Sequence, residues 1–316
     1  MAILSFSEKL LVELNKYYMR HFKKLRLLIL LWAGLHGVVS AAPEPHVQTQ
    51  LALLEATTPG ILGIAAIDTG TGQQINYHAY QSFPMGCTSK TIGVAAVLAR
   101  AMKQPDLLYK IIKYPASALQ EWSPVTKKHL ADGMSVQQLC AAAIMFSDNT
   151  AMNLLLAQVG GLTGINAFAR GIDADGYFQM DHNWPAEAAA SPASRQDATT
   201  PATMENLLSQ LLLGQVLAPT ARKQLLDWLH HSVTGYARIR AGVPSGWAVM
   251  DKTGTGSRYG TTNDVAVIFP PHCRPLIFSI YYSSDIDTSP TREDVIAKAT
   301  RILVRAFSLS DSCLKP

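Results

Sequence analysis

The segments of this chain that read as strands lie at its two ends, with a long helical stretch between them. Residues 61–67 (ILGIAAI) form a short apolar run suited to a buried strand. The dense turn signal Asp68-Thr69-Gly70-Thr71-Gly72 follows, then a weakly alternating partner, Gln73–Ala79. Strand patterns return at Ala248–Lys252, Asp264–Phe269 and Leu276–Tyr282. Between the two sets, Thr91–Met102, Ser135–Phe146, Thr150–Gln158, Leu162–Ala169, Pro201–Leu213 and Ala218–Ser232 carry apolar residues at helical i, i+3, i+4 spacing. A last amphipathic helix, Thr291–Phe307, closes the chain, and residues 181–200, with Pro185 and Pro192, read as a loop. The economical arrangement is α/β plus all-α: one antiparallel sheet with flanking helices, built from both chain ends, and an inserted helical lobe. We expect 42–80 and 233–316 in the α/β part and 81–232 in the helical part. A cleft between such lobes is the default binding site.

The chain has 316 residues, 48% of them hydrophobic and 16% charged, which excludes a disordered protein. Its formal charge of +4 resides in residues 1–41, and the remainder carries equal numbers of acids and bases. A neutral body offers no field for nucleic acid. At the N-terminus, Lys23, Lys24 and Arg26 precede the apolar run Leu27–Leu35, and Val39-Ser40-Ala41 supplies a small-x-small site. These are the parts of a secretory signal, too short to span a membrane. We expect cleavage after Ala41 or Ala42 and a periplasmic or secreted mature chain. An uncleaved anchor is the alternative. Translation from Met19 in place of Met1 would give a signal of ordinary length.

Three short stretches carry chemistry. Phe83-Pro84-Met85-Gly86-Cys87-Thr88-Ser89-Lys90 ends a loop and opens a helix. Cys87 and Lys90, three apart, share a helix face. A thiol at a helix N-terminus beside an ammonium has its pKa lowered, because both favour thiolate. A buried structural Cys is the plainer reading. Ser147-Asp148-Asn149 sits between two apolar helices, where Asp148 or Ser147 could simply cap the second. Lys252-Thr253-Gly254-Thr255-Gly256 ends an apolar strand, where glycine lets a ligand lie against exposed backbone; an ordinary strand end is the alternative.

Taken together, these motifs resemble the class A β-lactamase family, whose signatures are S-x-x-K, S-D-N and K-T-G. The likeness continues through Ser123-Pro124-Val125, His129–Met134, Ala141–Ile144, Asp197–Pro201, Thr234-Gly235, Arg238–Arg240 and Asp251–Asp264, so it covers roughly residues 45–310. The resemblance implies a two-lobed fold and acylation of the enzyme by a β-lactam carbonyl, followed by hydrolysis. It makes Lys90 the residue that takes or relays the nucleophile's proton, and Ser147 the hydroxyl that passes a proton to the lactam nitrogen. Asn149 binds the substrate's side-chain amide. Arg238, Lys252 and Thr253 hold its carboxylate, with Gly254 between the two threonines of the strand. The N–H groups of Cys87 and Thr255 form the oxyanion hole, and Trp122 is the aromatic wall.

The chain departs from the family where the chemistry is most demanding. The nucleophile position holds Cys87, which would give a thioester. Ser89 cannot replace it, being adjacent to Lys90. Counting back from Asp197, the position of the family's water-activating Glu is Trp184, followed by Pro185. The supporting Asn position is Ala188, and the arginine that pairs with Asp197 is His182. Glu187 lies three residues out of register and is the candidate replacement base. Without a base, water attack loses roughly 10²–10⁴-fold.

Three functions follow: a β-lactam hydrolase working through Cys87, a non-hydrolytic β-lactam binder, or a Cys-dependent acyl-transfer or cyclisation enzyme on another substrate. The implied partner is a small β-lactam, or a related amide or ester. We expect no cofactor, no nucleic-acid partner, no membrane association after signal cleavage, and a monomer. No metal site is expected, since the nine His show no H-x-H or H-E-x-x-H spacing. Cys140 lies on an apolar helix face and reads as core. Cys273 and Cys313 are expected to bridge if the last helix runs antiparallel to the last strand.

Overall fold

The computed structural model describes residues 45–315. The expected signal segment lies outside them. Five strands, β1 (Gly60–Asp68), β2 (Gln74–Tyr77), β3 (Ala248–Thr255), β4 (Thr262–Phe269) and β5 (Leu276–Ser284), form one antiparallel sheet in the order β2-β1-β5-β4-β3. Every residue of β5 is buried, because both faces of the sheet are covered. Alternation sorts the side chains. Leu276, Phe278, Ile280 and Tyr282 join one core, with Ala266 and Ile268 of β4. Ile277 and Tyr281 join the other, with Val265 and Val267.

The first core is closed by α1 (Pro45–Ala56) and α8 (Glu293–Ser310). The sequence reading did not assign α1. Its apolar positions Val47, Leu51 and Leu54 fit one helical face, but polar residues dominate the rest of the segment. The second core is helical: α2 (Lys90–Ala101), α3 (Val136–Met145), α4 (Asn149–Leu156), α5 (Gly161–Ile172), α6 (Pro201–Leu208) and α7 (Pro219–His230). Helix α2 runs through its middle, buried from Lys90 to Leu98. The α/β plus all-α architecture therefore holds, with the sheet contributed by both chain ends.

Local chemistry sets the boundaries. Ser135 caps α3 and forms a capping box with Gln138. Asp148 caps α4, accepting from the Ala151 N–H at 2.8 Å. The helix expected over Pro201–Leu213 leaves α-geometry at Ser209 and finishes as a π-turn. The expected loop 181–200 contains a single-turn 3₁₀ helix, Ala186–Ala189, and a short strand, Ala198–Thr199, that pairs with both Phe83–Pro84 and Phe178–Gln179. Loop composition hid this strand because its partners are remote in sequence. Cys140 is fully buried in the helical core. Cys273 and Cys313 form the expected disulfide, with Cα atoms 5.8 Å apart.

Candidate active site

Cys87 does not sit in the first turn of an α-helix as expected. It lies in a 3₁₀ turn, Gly86–Ser89, and α2 begins at Lys90. With three residues per turn, this geometry still aligns residues 87 and 90. The turn is pressed against β3, backbone to backbone. A Cβ on Gly86, whose φ is +51°, would sit 3.2 Å from the Thr255 nitrogen, and one on Gly254 would sit 2.4 Å from the Met85 carbonyl oxygen. Both approaches require glycine. Asn263 on β4 locks the contact: its Nδ2 donates to the carbonyls of Pro84 (2.7 Å) and Met85 (3.1 Å).

Ser147 stands at the centre of the polar cluster, with φ +55°, in the left-handed region. Its Oγ accepts from Lys252 Nζ at 3.0 Å and from Lys90 Nζ at 3.4 Å. Lys90 also donates to the Ser147 carbonyl (2.7 Å) and to Asn149 Oδ1 (2.6 Å), and Lys252 to the Thr253 carbonyl (3.0 Å). Both lysines are fully buried, and buried charges require a counter-charge or neutralisation. Burial, opposed by the thiolate form of Cys87 and reinforced by the charge of Lys90, brings Lys252 down to about 8. Burial by itself raises the Cys87 thiol. The charges of Lys90 and Lys252, and hydrogen bonds with Ser147 and Lys90, outweigh it and bring the thiol down to about 7. The thiolate is thus the natural partner of the two ammonium groups. Cys140, with burial alone acting on it, is pushed up.

Threonines form the next part of the cleft. Thr253 Oγ1 donates to Thr234 Oγ1 at 2.9 Å, so the Thr234 proton points elsewhere. Arg238, expected to bind substrate directly, is largely committed to the protein. It donates to the carbonyls of Gly254 (2.9 Å) and Asn263 (2.7 Å), to Glu293 Oε1 (3.2 Å) and to Thr255 Oγ1 (2.7 Å). That last bond occupies an acceptor site of Thr255 and leaves its hydroxyl free to donate.

The facing side is different in kind. Trp184 is only 1% exposed, and its indole belongs to the helical core. The Asn153 side chain pins its backbone from both sides, donating to the Trp184 carbonyl (2.6 Å) and accepting from its N–H (3.1 Å). Pro185 and Ala188 line the cleft there. The Glu187 side chain lies outside the described atoms. Asp197, at φ +49°, holds the segment's other end, bonding His182 Nδ1 at 2.6 Å.

The cleft encloses about 550 Å³ and is lined by Cys87, Trp122, Ser147, Asn149, Arg238, Thr253 and Thr255 from the sequence reading. Lys90, Lys252 and Gly254 lie behind this lining. Trp122 is 63% exposed and is oriented by its Nε1–H bond to the Phe146 carbonyl, at 3.0 Å. Glu121, Thr234, Gly235 and Glu293 also line the cleft and were not singled out as site residues, although Thr234-Gly235 was noted as a motif. Among the described residues no group of three His, Cys, Asp or Glu side chains is placed to hold a metal.

The model of the "Beta-lactamase enzyme family" matches residues 46–307. A β-lactamase of Proteus vulgaris is 43% identical over 262 residues, covering 83% of this chain and 96% of that protein. The β-lactamase CTX-M-8 of Citrobacter amalonaticus is 40% identical over 293 residues, covering 92% of this chain and 100% of its own. The crystal structure of a β-lactamase from Desulfarculus baarsii DSM 2075 superposes with a TM-score of 0.81 at 40% identity, covering 87% of this chain and 100% of that one.

Proposed function

The chain belongs to the class A β-lactamase family of hydrolases, and from that premise we propose that it opens β-lactam rings through a thioester on Cys87 Sγ. The observation that carries this reading is the Ser147 hydroxyl, shared by the ammonium groups of Lys90 and Lys252 and bonded to the thiol. The thiolate attacks the lactam carbonyl, and the Cys87 and Thr255 N–H groups receive the oxyanion. As the C–N bond breaks, the nitrogen takes a proton from Ser147, which Lys252 or Lys90 replaces. The carboxylate of the substrate binds at Thr234, Thr253 and Thr255. Arg238 acts through Thr255 and through the charge it adds, and Asn149 binds the side-chain amide.

Release of the acyl group is slow in this reading. In register with the family, the water-activating position falls on Trp184, whose indole packs in the core. The mature chain works outside the cytosol; the N-terminal signal pattern and the Cys273–Cys313 bridge support this.

The test is intact-protein mass spectrometry of the mature chain with a chromogenic cephalosporin, alongside the absorbance trace. We expect one equivalent of colour and a lasting adduct on Cys87. Sustained colour without an adduct would overturn slow release, and neither colour nor adduct would overturn acylation.

A further inference from the structure

Resting on that reading, we propose that the thioester is passed to a primary amine bearing a second, cationic group, so that the product is an amide. The first argument is the choice of nucleophile. Water is a weak nucleophile that needs a base in place before it attacks, and the described lining residues of that wall, Pro185 and Ala188, are not bases. A neutral amine needs no prior deprotonation. Thioesters acylate amines readily, because sulfur donates poorly into the carbonyl and leaves as thiolate, here beside the two lysines.

The second argument is what the cleft holds for a cation. Its acidic lining residues are Glu121 and Glu293. Glu293 is engaged with Arg238 at 3.2 Å. Glu121 is exposed, and no described cation forms an ion pair with it. Its neighbour Trp122 presents an exposed indole whose orientation is fixed by the bond to Phe146. A cleft that carries both an exposed carboxylate and an exposed indole suits an ammonium group. Glu121, Trp122 and Cys87 line one cleft, and in this proposal one nitrogen of a diamine rests at the first two while the other meets the acyl carbon.

The step balances without a co-reactant. The amine nitrogen bonds to the acyl carbon, the C–S bond breaks, and the electron pair stays on Cys87 Sγ. The nitrogen's surplus proton passes through Ser147 and Lys90 to the thiolate and restores the thiol.

The experiment starts from the cephalosporin adduct, freed of excess substrate. Portions receive 1,4-diaminobutane, butylamine or hydroxylamine at equal concentrations of free base, and release is followed by intact mass and product mass. The expected result is an amide with diaminobutane, formed about tenfold faster than with butylamine. In Glu121→Gln that ratio falls toward one. Equal rates for the two amines, or release as the free acid in all portions, would overturn the proposal. If hydroxylamine yields the hydroxamate while diaminobutane yields no amide, amine transfer alone fails and the thioester stands. If no adduct forms at the outset, the underlying reading fails and this proposal with it.

Discussion

The two sides of the cleft are built on opposite principles. Around Ser147, ionisable groups are packed without intervening apolar side chains. Two buried ammonium groups and a thiol share one hydroxyl, on a backbone held by Gly86, Gly254 and Asn263. Across the cleft, the segment around Trp184 turns its largest side chain into the core and shows Pro185 and Ala188 to the cavity. The first side is costly to hold together and useful only for chemistry. The second buries apolar surface, at the cost of a Trp184 Nε1–H that has no hydrogen-bond partner among the described residues. In the proposed reaction, acyl transfer to the enzyme and then away from it, the first side supplies proton-moving groups around Ser147 and the second presents Pro185 and Ala188.

The largest effect comes from breaking the polar side. Cys87→Ala removes the proposed nucleophile, and adduct formation should vanish with every β-lactam tested by intact mass. The next comes from re-chemistry of the apolar side. Trp184→Glu, combined with Ala188→Asn, should raise the release rate by about 10²–10⁴-fold, the usual worth of a positioned general base, read as sustained colour. Emptying the indole site should cost about 3–5 kcal/mol, measured by denaturant melts. Unchanged release in a folded double variant would mean that the two sides do not divide the reaction in this way.

The polar side was the more legible one in the sequence. The i, i+3 spacing of Cys87 and Lys90 puts them on one face in either helix type, and Ser147 and Lys252 occupy motif positions that fixed their place beside them. Contacts that hold the cluster were not legible, since they cross the fold. Asn263 is 179 positions from the carbonyl it grips, and the Ala198–Thr199 strand is recognisable only once Phe83 and Phe178 lie beside it. The partners of Arg238 were not legible for a related reason. Sequence places the guanidinium near the cleft, but only coordinates show its donors committed to Gly254, Asn263, Glu293 and Thr255. On the apolar side, the register puts Trp184 at the position expected for a base, while its packing direction depends on a core assembled from six helices.

A finer comparison sets the thiols of Cys87 and Cys140 against each other by pH. Cys87 lies near 7 because the lysine charges and its hydrogen bonds outweigh burial, whereas burial alone pushes Cys140 up. Alkylation by iodoacetamide should modify Cys87 with a rate that climbs through about pH 7 and levels above it, leaving Cys140 unlabelled in the native protein. Lys252→Gln removes one of the two charges and should move that midpoint upward, toward an ordinary thiol. A midpoint that stays put would assign the shift to Lys90 and Ser147 alone.

The smallest effect concerns the anchoring of the apolar side. His182 is about half exposed, and its ring nitrogen meets the buried Asp197 carboxylate at 2.6 Å. That hydrogen bond, then the carboxylate's charge, raises the His182 pKa against the opposing effect of burial. A raised pKa in the folded state means that the pair's stabilisation is complete below the unfolded value of about 6.5 and is lost as pH rises through the folded value. Solvent screening of the exposed ring limits its worth to about 1 kcal/mol. His182→Ala should therefore lower the melting temperature more at pH 6 than at pH 9. Backbone bonds from Asp181 and His182 to Asp197 survive the substitution, and Asn153 still holds Trp184, so release of the acyl group should barely change. A pH-independent loss would assign His182 a packing role, and a large change in release would mean that the apolar side is tuned by its anchor and not only by which side chains it presents.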